Sequence, residues 1–461
     1  MAQIGSVPSP VRWNWKKTFR SSCYTRGLAA FLGMWWITIL LTACQALDRF
    51  PFTFLTPVAT PTAEGAALTL TPQPTPEPTQ TPTPLPPNEL TLWLPPEFAP
   101  GSGGRAGEVL DKRLAAFETE HGIRIKVRLK AASGPGGLLE SLSAASVAAP
   151  RSLPGVVALP RPEFEVAAIK GLLVPLDPLG RVLESSDWYP YARELAMVQG
   201  VTFGLPFAGD AQVLVYRASQ VHPPLGNWED LIQLGQPVGI AFSSPTAMTT
   251  LALYRSIGGE VEDAQHRPLL QSEPLARVLT LYRTGANRGL FPLWMADFQS
   301  ESQVWQAYQD QRFHVCVAWI SDYLGEQPPD SLPAPLPQLE DTPYTMATGW
   351  IWAVADPLPE RQALSIELVE WLSDSQFLGE WSEAAGFLPT RPAALSAWQN
   401  QTFKSVLTQV ALSAHARPST ELLSGLGGVL EEAAVRVVRL EAEPSQAAVD
   451  AVERLADRQT R

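Results

Sequence analysis

The five histidines, at positions 121, 222, 266, 314 and 415, are too far apart to form a closely spaced metal pair. The sequence has no His-Glu-x-x-His run, the helical spacing that brings two imidazoles onto one metal ion. It also lacks a phosphate-cradling Walker loop and a Gly-x-Ser-x-Gly nucleophile elbow. Of the three cysteines, Cys23 and Cys44 lie in the N-terminal segment and Cys316 stands alone, so the globular part can form no internal disulfide. Cys316 lies between Val315 and Val317 and reads as a small buried hydrophobe. Activation by His314 would need both side chains on one side of a strand, and adjacent strand residues face opposite sides. Gly101-Ser-Gly-Gly104 follows a strand and precedes a helix. It reads either as backbone N–H groups open to an anion or as a plain flexible loop. Fifteen tryptophans remain, some for a core and some free to stack on a flat ligand.

The elements that would position these residues alternate. Leu90, Leu92 and Leu94 mark a strand, and Val109, Leu110, Leu114 and Phe117 recur at helical spacing until His121-Gly122. Ile123–Leu129 alternates strictly as a second strand, 138–147 is helical, and 155–159 is a buried third strand. Helix 165–169 closes at Gly171. Further strands are expected at 212–216, 238–242, 314–320 and 346–355. Helices are expected at 228–234, 249–257, 275–284, 303–309 and 361–372, and from about 396 onward. Trp371 and Trp381 read as core. This order predicts an α/β fold with a mainly parallel sheet. The 461 residues are 45% apolar and 17% charged, enough for two domains with a sizeable core. A net charge of −12 excludes a nucleic-acid partner, which needs a basic face.

The N-terminus carries Arg12, Lys16, Lys17, Arg20 and Arg26 without an acid, then the apolar run 27–41. This is a secretory layout, and the run is short of the ~20 residues a membrane-spanning helix needs. It ends in Leu41-Thr-Ala-Cys44, which resembles the lipobox of bacterial lipoproteins. That resemblance implies a signal peptide over 1–43, lipid on Cys44 and a cell-membrane location on the extracytoplasmic face. An uncleaved signal anchor is the alternative, and it also leaves the bulk of the chain outside. Residues 56–88 repeat Thr-Pro, so 44–88 is expected to be an extended, semi-stiff linker.

Several ordered pieces of the globular part match one family: Leu90-Thr-Leu-Trp93, 117–127, 153–157, 171–177, Gly204-Leu-Pro-Phe207 with Leu214-Val-Tyr216, Asn227–Leu231, Thr348-Gly-Trp350, Glu367–Leu372 and Gly386–Arg391. Together, over roughly 89–455, they resemble the extracellular solute-binding proteins of ABC transporters, the maltose-binding-type family 1. The resemblance implies a two-lobed, type II periplasmic-binding-protein-like fold. Chain crossings are then expected near 207–212, 344–348 and Leu395. Lobe one would be 89–208 plus 345–395, and lobe two 212–343 plus 396–461. The sequence departs from the family pattern at Pro154-Gly155, in the 160–163 loop and at 312–317.

Open α/β sheets bind ligands beyond the carboxyl ends of their strands. Sugars stack on aromatic faces and exchange hydrogen bonds with carboxylates and arginine. Trp93, Arg161, Asp210, Trp319, Trp350 and Arg391 are therefore the expected ligand-binding residues. The expected function is capture of a small polar solute, a saccharide, by a monomer that delivers it to a membrane permease, without cofactor, metal or catalysis. The alternatives are a surface carbohydrate-active enzyme with paired carboxylates, and a ligand sensor without a transporter.

Overall fold

The computed structural model describes residues 88–101, 103–176, 183–223, 225–340 and 342–459. The expected signal peptide, Cys44 and the Thr-Pro linker up to residue 87 lie outside the described residues, as does Ser102 of the glycine loop. The strands are β1 (Glu89–Leu94), β2 (Arg124–Leu129), β3 (Val156–Pro160), β4 (Met197–Val198), β5 (Val201–Thr202), β6 (Gly204–Arg217), β7 (Val238–Gly239), β8 (Val315–Trp319), β9 (Ser331–Ala334), β10 (Thr345–Val354) and β11 (Ala414–Ala416). The main sheet runs β2-β1-β3-β10-β6-β8-β7, with β9 paired to β6 and β11 to β10, and β4-β5 forms a separate hairpin.

β1 pairs in parallel with β2 and β3, as expected for strands linked through helices. Leu90, Leu92 and Leu94 pack on one face of the sheet with Leu110, Leu114 and Phe117 of the helix Arg105–His121. Trp93, Val157 and Leu159 pack on the other face with Leu138, Leu142 and Phe164. Both faces are thus covered, which is why β1 is buried nearly throughout. The helix Arg105–His121 ends where Gly122 adopts a left-handed φ of 63°, a conformation that costs glycine little. β2 is the sheet's edge. It exposes Arg124, Lys126 and Arg128, whose charges discourage pairing with another chain.

Two strands carry the chain between the halves of this sheet. The first part of β6 pairs with β10 and its residues 212–216 pair with β8, both antiparallel. β10 pairs with β3 over residues 350–354 and with β11 over 345–347. The crossings expected near 207–212 and 344–348 fall on these strands. Leu395, where the third was expected, lies buried inside the short helix Pro392–Ala397, and further along the chain β11 is laid against β10. A three-residue strand has too little periodicity to show in a sequence.

Alternation fixes what each face of the crossing presents. Asp210 opposes Thr348 and Gln212 opposes Trp319, and Trp350 lies two residues beyond Thr348. These side chains share one face. Gly209 and Gly349 fall on the other, where the helix Pro190–Ala196 seats. A Cβ on Gly209 would lie 2.2 Å from Tyr191 Oη and 2.8 Å from the Leu388 carbonyl. Tyr191 in turn donates to the Pro389 carbonyl at 2.9 Å. Cys316 in β8 is fully buried, and burial pushes its thiol pKa well above the usual range. Trp381 is buried as expected, while Trp371 is half-buried with the Arg113 guanidinium 3.9 Å above its ring.

Gly209→Ala is expected to lower unfolding stability by about 1–3 kcal/mol, the usual cost of forcing extra volume into a packed contact. The readout is a lower urea midpoint with unchanged slope. A midpoint equal to wild type would contradict the close seating of the helix.

Candidate ligand site

The Asp210 face sits where strand ends converge. β3 ends at Pro160, directly opposite Trp350. β8 ends at Trp319, and the helix Ile320–Glu326 begins there. Asp210, from the crossing strand, reaches that helix. Its Oδ2 accepts from Ser321 Oγ at 2.5 Å, and its Oδ1 accepts from the N–H groups of Ser321 at 3.1 Å and Ala211 at 3.0 Å. Burial raises the carboxyl to about 7, although these three donors oppose the shift. Burial also raises nearby Asp322 to about 6 and pushes Glu301 upward, with Asp322 adding to the latter through like charge. Asp210 and Asp322 therefore exchange protons closer to neutrality than ordinary carboxyl groups do.

Beside them lies an aromatic wall. Trp350 meets Phe98 edge-to-face at 4.8 Å, and Phe98 meets Phe387 at 5.7 Å and Trp381 at 5.4 Å. Phe207, where the β6–β10 register shifts, stacks on Trp352 at 4.0 Å. Trp352 and Trp381 are buried, while Trp350 and Phe387 keep half-open surface. Half-open aromatic rings beside hydrogen-bonding carboxyl groups suit a ligand that is flat on one side and hydroxylated at its edge.

The six expected site residues separate into two groups. Asp210, Trp319 and Trp350 share this face, with Trp319 half-buried at the end of β8. The other three are occupied by internal contacts. Trp93 is 3% exposed, packed in a core, with Lys130 Nζ 4.5 Å over its ring. Arg161 begins a helix rather than lying in a loop, and it is buried. Its Nη1 donates to the carbonyls of Leu195 at 2.6 Å, Met197 at 2.8 Å and Glu194 at 3.3 Å, closing the end of the helix Pro190–Ala196. Arg391 donates to Asp187 Oδ2 at 2.9 Å and to the Ser373 carbonyl at 2.7 Å, over the Trp188 ring. Sequence reasoning missed Ser321, Asp322 and Phe387, and Phe98 behind them, which is 3% exposed and supports Trp350 from within the core. A dipeptide Ser-Asp just past an apolar strand was a weak pointer to the first two. Nothing local distinguished the two phenylalanines from core residues.

The opposite, Gly209 face borders a cavity of about 1040 Å³ lined from both halves of the sheet. The converging strand ends and the half-open tryptophan favour the Asp210 face as the candidate site for the main ligand. Among the described residues no group of histidine, cysteine and carboxylate side chains is placed to hold a metal ion.

Comparison with known proteins narrows the class. The family described as bacterial extracellular solute-binding protein matches residues 112–405. No curated protein matches the sequence. Among solved structures, the sugar-binding protein MalE of Xanthomonas citri is similar with a TM-score of 0.66 at 18% identity, over 80% of this chain and 98% of that one. A cyclo/maltodextrin-binding protein complexed with maltotetraose gives 0.66 at 16% identity, over 81% and 97%. Maltose-bound MalE3 of T. maritima gives 0.60 at 18% identity, over 80% and 99%. At such identities the likeness is one of fold, the two-lobed α/β architecture.

The raised carboxyls give a signed prediction. A carboxyl held near 7 in the folded state and at 3.8 when unfolded binds its proton more tightly in the folded protein, so stability falls as pH rises between those values. The unfolding free energy of wild type relative to Asp210→Asn is expected to decline from about pH 4 to about pH 7 and then level off, as read by urea unfolding across that range. A difference independent of pH would contradict the enclosed carboxyl.

Proposed function

Because the chain belongs to the bacterial extracellular solute-binding proteins, we propose that it is the monomeric receptor of an ABC importer and holds a saccharide on the Asp210 face. The family works outside the cytoplasm and binds rather than transforms its ligand. The supporting observation is the bridge from the crossing strand to Ser321, flanked by half-open Trp350. Lobe one is then 89–208 plus 345–395, and lobe two 212–343 plus 396–461. Closure brings Trp319, Ser321 and Asp322 toward Trp350 and Phe98. A sugar ring stacks on Trp350, and Asp210 accepts from a hydroxyl. Trp93, Arg161 and Arg391 keep the walls rigid, which lowers the ordering cost of binding.

Among the described residues no helix is long and apolar enough to cross a membrane. Attachment is assigned to lipid on Cys44, with 44–88 as the tether.

Calorimetric titration with maltose, maltotriose and maltotetraose is expected to show binding that Trp350→Ala and Asp210→Ala each weaken about tenfold or more, some 1.4 kcal/mol. Trp93→Ala should instead cost about 3–5 kcal/mol of stability. Affinity untouched by both site variants would move the ligand elsewhere. No heat with any of these or other polar solutes would remove the receptor reading. Labelled palmitate should enter the wild type and not Cys44→Ser, and a Cys44→Ser protein still labelled and membrane-bound would refute the anchor.

A further inference from the structure

The cavity on the Gly209 face is not used by the reading above. Its walls come from both halves of the sheet: Arg161 and Glu165 follow β3, Glu194 lies on the helix Pro190–Ala196, and Arg255 and Glu262 lie beyond β7. Tyr344 and His415, from the crossing segments, complete it. We propose that this cavity is a second solute site, for a neutral hydroxyl-rich molecule of one or two sugar rings, and that its occupancy opposes closure around Asp210.

The chemistry of the walls selects that class. The Tyr344 and His415 rings are stacked, with centroids 4.4 Å apart and planes 11° apart, and they form a flat plate. Arg161 is 7% exposed, and its Nε–H has no acceptor among the described residues although Nη1 has three. With its Nε enclosed as well, Arg161 is a rigid wall, and the hydrogen-bonding groups open to a ligand are at the rim. Glu194 and Glu262 supply acceptors at the rim. Four lining carboxylates, Glu421 included, against two guanidiniums disfavour an anion. A volume of about 1040 Å³ lies at the upper end of small-ligand sites.

The coupling follows from where the walls are tied. Glu165 Oε2 accepts from both the N–H and the Oγ1–H of Thr420 at 2.9 Å. It thus caps the helix Thr420–Val438, which packs on helices of the other half. Glu194 Oε2 accepts from the Ala416 N–H at 2.7 Å. These bonds fix the separation of the cavity walls. β6 and β10 lie between the two faces, so rotation that draws the halves together at Asp210 parts them here. A solute bridging these walls fits the parted state less well. By reciprocity, each ligand then weakens the other by the same factor.

The test is calorimetric titration of the full chain with maltose and with maltotriose, on wild type, Asp210→Ala and Glu262→Trp. Glu262 is exposed at the rim, so the bulky replacement fills the cavity without threatening the fold. Wild type is expected to show two binding events. Asp210→Ala should weaken one about tenfold or more and leave the other. Glu262→Trp should weaken the second about tenfold or more and tighten the first about two- to tenfold, in line with usual coupling magnitudes. One event, weakened in Asp210→Ala and unmoved by Glu262→Trp, overturns the second site and leaves the receptor reading intact. One event with the reverse pattern supports the second site and overturns the assignment of ligand to the Asp210 face. Two events that never influence each other overturn the opposition. No heat with either sugar overturns the site.

Discussion

The pairing of β6 with β10 is the constraint on which the rest of the structure depends. Each strand serves both halves of the sheet, so each residue along the shared stretch faces one of two environments set by alternation. Glycine at 209 and 349 lets a helix and neighbouring backbone approach one side closely. On the other side the same alternation projects a carboxylate and a tryptophan. A slip of one residue would bury Asp210 under Tyr191 and turn the face it now occupies into bare backbone. Register, more than any single contact, creates the site.

From that register follows a division of labour among charged groups. Arg161 and Arg391 are spent on carbonyls and on one carboxylate, stitching loops and helix ends that otherwise have unsatisfied backbone groups. Asp210 is instead held by donors from the opposite half, in surroundings that keep it close to changing protonation state. Residues of similar polarity thus act as fasteners in one place and as a responsive element in another. Burial and partner geometry decide which.

Much of this was legible in the sequence. Leu90, Leu92 and Leu94 specified a strand, the helix ended at Gly122, and the solitary Cys316 read as buried. The order of these pieces pointed to the family that the sequence match supports. That Asp210, Trp319 and Trp350 share one face was reachable because each stands at a strand end or on a crossing strand. Arg161 and Arg391 misled because an arginine near a strand end looks alike whether it meets a ligand or its own backbone. The carbonyls it bonds, at 194–197 for Arg161, lie tens of residues away and carry no local signal. The opposite cavity was not legible, since its walls come from five separated segments.

Cys316 has a consequence outside binding. The folded part has one thiol, fully buried and held in its protonated form. The thiolate is the species that attacks disulfides and oxidants, so this sulfur is shielded both by access and by acidity. The domain needs no oxidative maturation and offers no handle for mixed-disulfide trapping. Its stability rests on packing, hydrogen bonds and ion pairs rather than on a disulfide, and it should be indifferent to the redox poise of its surroundings.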